Sequence, residues 1–459
     1  MANSRKKVAE DQSLKDRISG LPHNVIDCIL THLPMQYAAR TSVLSRKWRY
    51  IWATCSEIVL DEAFYTFIDR RRSYLHTVHY AEVVSMILLQ HLGPVRKFYI
   101  EASLSDIHFM NLDQWVLFVS RNGVEELTLR PSSIGYKLPS HIFECQHLTR
   151  LSIHRSTWAP PPGFGGFNHL TSLALSSLSL SSNKESDVLN TPNLIHLEFT
   201  HCYFCVNALK VHAPLLQTLI IDSRHKVELS SFLVFHDLKN VKVFSKQERD
   251  ITLSGNYSLQ DIIPDLISSW PGVVQLQLNG YLRQNMDVLN KSLRWSSFAP
   301  DSYHSKPIYI TYLLTSLSLL NVNLNNKWQI SQAMWLLANS TSLKFATIAT
   351  KASVPNHSAV EDDAINLELP AEANKMGMSS LEVLEITEIS GSRAEMFFLK
   401  EVLASASSLR EVSIGIAKCD ATVELRISKE LLQFPRASTK AEVKLFGAAD
   451  NPPSTIRFP

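Results

Sequence analysis

An apolar unit of the form L-x-x-L-x-L returns along this 459-residue chain at nearly constant intervals, and few folds can carry such a pattern. It stands at Val95-x-x-Phe98-x-Ile100, Val124-x-x-Leu127-x-Leu129, Leu148-x-x-Leu151-x-Ile153, Leu170-x-x-Leu173-x-Leu175, Leu194-x-x-Leu197-x-Phe199, Leu216-x-x-Leu219-x-Ile221 and Leu238-x-x-Val241-x-Val243. More distant copies follow at Val273, Leu314, Leu381 and Leu409, with a degraded one at Leu343-x-x-Ala346-x-Ile348. Middle positions 127, 151, 173, 197, 219 and 241 are separated by 24, 22, 24, 22 and 22 residues. Steps of about 20 to 29 residues belong to leucine-rich repeats.

The second and third apolar positions lie two apart on a short strand, so both point inward, and the first reaches in from the preceding turn. A repeat of this kind buries its face only against its neighbours, which predicts an α/β solenoid with a parallel sheet along its concave side. The intervening strand positions then face outward: Thr128 and Arg130, Ser152 and His154, Ala174 and Ser176, Glu198 and Thr200, Ile220 and Asp222, Lys242 and Phe244. They mix charges of both signs with apolar groups. Of these, Arg130, His154, Glu198, Asp222, Lys242 and Phe244 are the candidates for gripping a partner. A standard repeat places Asn or Cys five residues after the second leucine to bond the turn. Here Cys202 fits, whereas Ser132, Ser156, Leu178 and Arg224 do not, so an irregular curvature is expected. Beyond Phe244 some steps lengthen to 35, 41 and 38 residues, which implies insertions. Residues 261–270 and 330–339 read as helices, and 350–375 as an exposed loop.

The N-terminal stretch from Asp16 to Trp52 has a different pattern, three short helices. The first is expected from Pro22 to about His32, since Pro is tolerated where a helix starts and Pro34 blocks continuation past Leu33. Ile26, Ile29, Leu30 and Leu33 form its apolar stripe. A second helix fits Met35 to Val43, and a third fits Arg46 to Thr54 with Ser45 as N-cap. About 40 residues rarely bury enough apolar surface to fold alone, so a partner is expected.

This stretch resembles the F-box in Leu21-Pro22, Val25, Ile29-Leu30, Leu33-Pro34, Ala39-Arg40, Thr41-Ser42-Val43-Leu44-Ser45, Trp48-Arg49 and Trp52. His23 and Asn24 depart from it, standing where acidic residues are common. The resemblance implies docking onto the Skp-family adaptor of a cullin-based ubiquitin ligase, through Leu21, Pro22, Ile26, Ile29, Leu30, Leu33, Pro34, Val43, Leu44 and Trp48. The repeat region is similar to plant F-box/leucine-rich-repeat proteins that end in an FBD region. That likeness rests on Gly93-Pro94-Val95, Trp115, Val119-Ser120-Arg121-Asn122-Gly123-Val124, Leu138-Pro139-Ser140, Pro161-Pro162, Gly165-Gly166-Phe167 and Gln433-Phe434-Pro435-Arg436. The expected organisation is a disordered tail over 1–15, an F-box over 16–60, and a helical linker over 61–94 with Val83, Val84, Ile87, Leu88 and Leu92 on its apolar face. A solenoid with insertions over 95–375 and an FBD-like end over 376–459 complete it.

Composition narrows the function further. With 45% hydrophobic and 19% charged residues and a net charge of +2, the chain reads as globular and carries no strongly basic face for nucleic acid. No run of 18 or more apolar residues suggests a membrane span. The six cysteines are scattered without a disulfide framework, which fits a reducing compartment, cytoplasm or nucleus. Phosphate-loop, dinucleotide, nucleophile-elbow and H-E-x-x-H patterns are absent. Cys202-x-x-Cys205 lacks a second ligand pair for zinc. Neither a catalytic residue, a metal nor a cofactor is therefore assigned. The resemblance implies a non-catalytic substrate receptor that holds the adaptor, and through it a cullin and a RING protein, while the repeat surface holds the protein to be ubiquitinated. A scaffold that binds the adaptor without cullin, or a small-molecule-sensing receptor, are the alternatives.

Overall fold

Thirteen L-x-x-L-x-L units, one more than the sequence pattern revealed at the N-terminal end, fold as short strands with the second position buried. The computed structural model describes residues 20–46, 48–75, 79–101, 109–180, 188–202, 210–223, 235, 237–245, 270, 272–279, 312–350 and 378–447. The expected tail over 1–15 and loop over 350–375 lie outside these, except for Thr350, as does the helix expected over 261–270, except for Trp270. The chain divides into two compact units, Met1–Ala213 and Pro214–Pro459.

In the first unit, strands β1 (Glu57–Leu60), β2 (Lys97–Glu101), β3 (Glu126–Arg130), β4 (Arg150–His154), β5 (Ser172–Ser176) and β6 (His196–Thr200) pair in parallel, each with the next in sequence. Register follows the repeat: Phe98 pairs Leu127, Leu127 pairs Leu151, Leu151 pairs Leu173 and Leu173 pairs Leu197. All of these are at most 1% exposed. Strand β1 extends the repeat into the N-terminal segment, as Cys55-x-x-Ile58-x-Leu60, with a cysteine in the first leucine's place.

In the second unit the same ladder runs through β7 (Thr218–Ser223), β8 (Asn240–Ser245), β9 (Gln275–Asn279), β10 (Ser316–Val322), β11 (Phe345–Thr350), β12 (Val383–Ile389), β13 (Glu411–Ile416) and β14 (Glu442–Phe446). Helices fill some long joints here, at Lys327–Asn339, where 330–339 was expected, and at Arg393–Ser405 and Ala421–Gln433. Strand β14 was not foreseen, because Lys440 replaces the first leucine of its unit.

Threonines ahead of the strands bond the neighbouring repeat. The hydroxyl of Thr149 donates to the carbonyl of Glu125 at 3.1 Å, that of Thr171 to Thr149 at 3.0 Å, and in the second unit that of Thr315 to Val274 at 3.3 Å. Cys202 keeps its expected turn role: it is buried, and its thiol donates to the carbonyl of Leu175 at 3.2 Å. Beyond the strands, Arg155, Ser177 and His201 take positive φ of 49°, 50° and 55°, so each turn leaves the strand through a left-handed residue that is not glycine. The Gly165-Gly166-Phe167 motif serves packing. Phe143, Trp158, Phe164 and Phe167 stack edge to face at centroid spacings from 5.0 to 5.2 Å, within the range where aromatic pairs attract.

The linker holds two helices, α3 (Glu62–Leu75) and α4 (Tyr80–Gln90). In α4 Val84, Ile87 and Leu88 are buried as expected, but Val83 is half-exposed and Leu92, past the helix end, is 68% exposed. Leu92 does not close the core, because its N–H is drawn to the carbonyl of Ala53 at 2.8 Å while its side chain points to solvent.

Candidate docking face of the N-terminal segment

Helices α1 (His23–Thr31) and α2 (Met35–Arg40) each begin directly after a proline. Pro22 and Pro34 take N-cap positions with extended ψ of 149° and 144°, one residue ahead of where Pro22 was expected, and their carbonyls accept the first helical N–H bonds at 2.8 to 3.1 Å. The first turn of α1 carries no acidic residue, in line with the departure at His23 and Asn24. The second helix ends at Arg40 instead of Val43. The hydroxyls of Thr41 and Ser42 bond back to the carbonyls of Ala38 and Ala39 at 2.6 Å, and Thr41–Val43 tightens into a 3₁₀ turn.

The third helix corrects the sequence reading. It is a 3₁₀ helix from Trp48 to Thr54, not an α-helix from Arg46, and it opens with the N–H of Trp48 donating to the backbone carbonyl of Ser45 at 3.1 Å. An i to i+3 winding brings Trp48 and Ile51 onto one line, and both enter the core.

The apolar residues of the segment serve two ends. Ile26, Leu30, Ala38, Trp48, Ile51 and Cys55 form one buried cluster, against which Leu21, Leu33 and Trp52 pack while partly exposed. Trp48 is 2% exposed, and its indole N–H has no hydrogen-bond partner among the described residues. Ile26, Leu30 and Trp48 therefore act through the fold of the segment; at 0 to 2% exposure they offer an outside partner almost no surface. Val25, Ile29, Tyr37, Val43, Leu44 and Tyr50 face solvent, Val43 at 85%. Pro22 and Pro34 are exposed at the starts of their helices. Of the expected docking residues, Ile29, Val43 and Leu44 are thus side chains in solvent; Val25 was named in the F-box match but not among the docking residues, and Tyr37 and Tyr50 were not singled out from sequence.

The solenoid supplies part of the support that so small a segment needs. Strand β1 leaves the last helix and pairs with β2 in register from Glu57 with Lys97 to Leu60 with Ile100. The N–H of Arg96 donates to the carbonyl of Ser56 at 2.8 Å. Beside Val43 and Tyr50 lies a groove of about 700 Å3, lined by Ser42, Val43, Arg46, Arg49 and Tyr50 and by Gln90 of α4.

The outward strand positions fall into two groups. In the first unit Arg130 and His154 sit on neighbouring strands, and Glu198 lies two strands further on β6. The Arg130 guanidinium is 3.6 Å from Glu101, lies over the Tyr99 ring at 5.8 Å, and helps to keep His154 neutral. Burial first and Arg130 second push the imidazole of His154 down to about 4, against the opposing carboxylates of Glu101 and Glu198. Tyr99 and Glu101, whose side chains bond at 2.9 Å, join this cluster and were missed because the register was carried back no further than Thr128. In the second unit Asp222 pairs directly with Phe244, and Lys242 pairs Ile220. All are half-buried. Among the described residues no three His, Cys, Asp or Glu side chains come together as a metal site, and Cys205 lies outside them. No described helix is long and apolar enough to cross a membrane.

Two family models match the chain: the F-box domain over residues 18–59, and the leucine-rich repeats of the FBD-associated F-box protein At5g56370 over residues 112–248. The chain is similar to the Arabidopsis thaliana F-box/FBD/LRR-repeat protein At1g13570, at 29% identity over 434 residues, which cover 93% of this chain and 98% of that protein. A second F-box/FBD/LRR-repeat protein of the same plant, At4g26340, is 23% identical over 93% of this chain and 99% of its own length. The Arabidopsis F-box/LRR-repeat protein At3g59200 is 39% identical over 140 residues, 30% of this chain and 26% of the relative.

Proposed function

We propose that this chain, an F-box protein with FBD-associated leucine-rich repeats, is the substrate-recognition subunit of a Skp-cullin-F-box ubiquitin ligase. The observation that carries the reading is the division of the F-box apolar residues: one set closes a core, and Val25, Ile29, Val43 and Leu44 remain in solvent. Four exposed apolar side chains on so small a segment fit a surface for a protein partner. The Skp-family adaptor is the partner whose chemistry fits, and it brings cullin and the RING protein with it.

The mechanism is proximity without catalysis by this chain. The adaptor fixes the receptor at one end of the ligase, and the outward strand positions, Arg130, His154 and Glu198 in one unit and Asp222, Lys242 and Phe244 in the other, hold the target. An acceptor lysine then meets the charged conjugating enzyme at a high effective concentration instead of by free diffusion. Such a receptor works in cytoplasm or nucleus. Co-expression with a Skp-family adaptor and a cullin tests the reading. Both should co-purify with the chain and both should be lost with Val43→Asp plus Leu44→Asp; adaptor without cullin would leave a scaffold instead.

A further inference from the structure

Helix α4 lies outside the F-box motif, yet it carries apolar side chains that stand exposed among the described residues. Met86 is 48% exposed, Leu89 81%, and Leu92, just past the helix end, 68%. Met86, Leu89 and Gln90 stand at i, i+3 and i+4, one surface line of a helix. Gln90 is also a wall of the groove beside Val43 and Tyr50, so the stripe continues the exposed F-box face. The two are held as one piece: the N–H of Leu92 donates to the carbonyl of Ala53 at 2.8 Å, and the Trp115 indole donates to Ser85 of α4 at 3.0 Å.

Charge gives the groove a second character. Arg46 and Arg49 border it, and neither guanidinium forms an ion pair among the described residues. Arg96, Lys97, Arg130 and Arg150 of the same unit each have a carboxylate within ion-pair distance, Arg150 with Glu126 at 2.9 Å and Lys97 with Glu57 at 3.5 Å. A groove lined by two guanidinium groups with no ion pair among the described residues, and joined through Gln90 to an exposed apolar stripe, matches one kind of polypeptide: a segment with apolar side chains on one face and acidic residues beside them.

We infer that the docking face runs from the F-box across the groove onto Met86, Leu89 and Leu92, and that it takes an acidic, apolar-faced segment of the Skp-family adaptor. This rests on the adaptor reading above, and deepens it by giving the adaptor a second contact outside the F-box motif. The guanidinium groups steer and orient the segment, and the stripe covers its apolar face.

The test titrates a purified Skp-family adaptor against the full chain and four variants, at low and at high salt. Leu89→Asp should weaken binding at least tenfold with an unchanged melting temperature, because the side chain it alters is in solvent. Arg46→Glu with Arg49→Glu should weaken binding and flatten its salt dependence. Met86→Ser, a milder change on the same stripe, should give an intermediate loss and guards against a local disturbance of α4. Val43→Asp is the control inside the F-box. If Val43→Asp abolishes binding while the α4 and arginine variants bind as wild type, the extended face is overturned and the adaptor reading stands. If Val43→Asp also binds as wild type, or the wild-type chain does not bind, both fall.

Discussion

The indole N–H of Trp115 donates to the hydroxyl of Ser85 at 3.0 Å, and this bond fixes α4 to the first helix of the repeat region, Phe109–Arg121. Trp115 is 2% exposed, so a lost partner would not be replaced freely by water. A hydrogen bond of this kind contributes about 0.5 to 1.5 kcal/mol, and an orphaned buried donor costs about 1 to 3 kcal/mol. Ser85→Ala should therefore destabilise the chain more than Trp115→Phe relieves it in the double variant. A double-mutant cycle in urea checks this: coupling near zero would mean that the two side chains act independently.

Gly166 has φ of 113°, and a Cβ there would stand 1.8 Å from the carbonyl oxygen of Asn190, which is backbone and cannot move aside. Gly166→Ala should cost more than about 2 kcal/mol, combining backbone strain with displacement of the Asn190 backbone. The expected readout is a lowered denaturant midpoint for the first unit. An unchanged midpoint would mean that the turn is remodelled at little cost.

Much of the fold was legible because the repeat signal is a burial signal. Leu173, Leu175, Leu197 and Phe199 are each fully buried, and two-residue alternation on a strand requires that. Where the pattern failed, a residue outside the apolar set held a leucine position: Cys55 before β1 and Lys440 before β14. The proposed docking face was half legible. Ile26, Ile29, Leu30 and Leu33 form one stripe by periodicity, but the chain buries Ile26 and Leu30 and leaves Ile29 39% exposed. Periodicity finds apolar faces without dividing them between the segment's own core and a partner. The 3₁₀ winding of Trp48–Thr54 left no mark that distinguishes it from an α-helical stripe.

His154 gives the first unit a predictable acid limb. Its imidazole titrates near 4 in the fold, held down by burial and by Arg130, and near 6.5 in an unfolded chain. Between those values the unfolded chain binds a proton that the folded chain refuses, so stability is full above about pH 6.5 and falls as pH drops toward 4. His154→Gln should flatten that limb in denaturant titrations between pH 7 and 4.5. An identical slope in wild type and variant would remove His154 as the cause.

In the second unit Glu395 closes a capping box with Ser392 at the start of the helix Arg393–Ser405. Its carboxylate accepts from the N–H of Ser392 at 2.9 Å, the N–H of Ser390 at 3.1 Å and the hydroxyl of Ser390 at 2.8 Å, and it is 3% exposed. Bonds to a charged acceptor contribute about 1.5 to 3 kcal/mol. Glu395→Ala should lower stability by about 2 to 4 kcal/mol, since it strands two backbone donors, and Glu395→Gln by less. Equal losses in the two variants would place the effect in packing and not in charge.

The most direct test of the account separates the residues that shape the N-terminal segment from those proposed to meet the adaptor. Adaptor binding by titration calorimetry and thermal melting are measured together for the wild type, Val43→Asp and Trp48→Ala. Val43, 85% exposed, should lose binding with its melting curve intact, whereas Trp48, 2% exposed, should lose binding only along with about 3 to 5 kcal/mol of stability. A wild-type chain that binds no Skp-family adaptor, or a Val43→Asp variant that binds as well as wild type, would contradict the docking face described here.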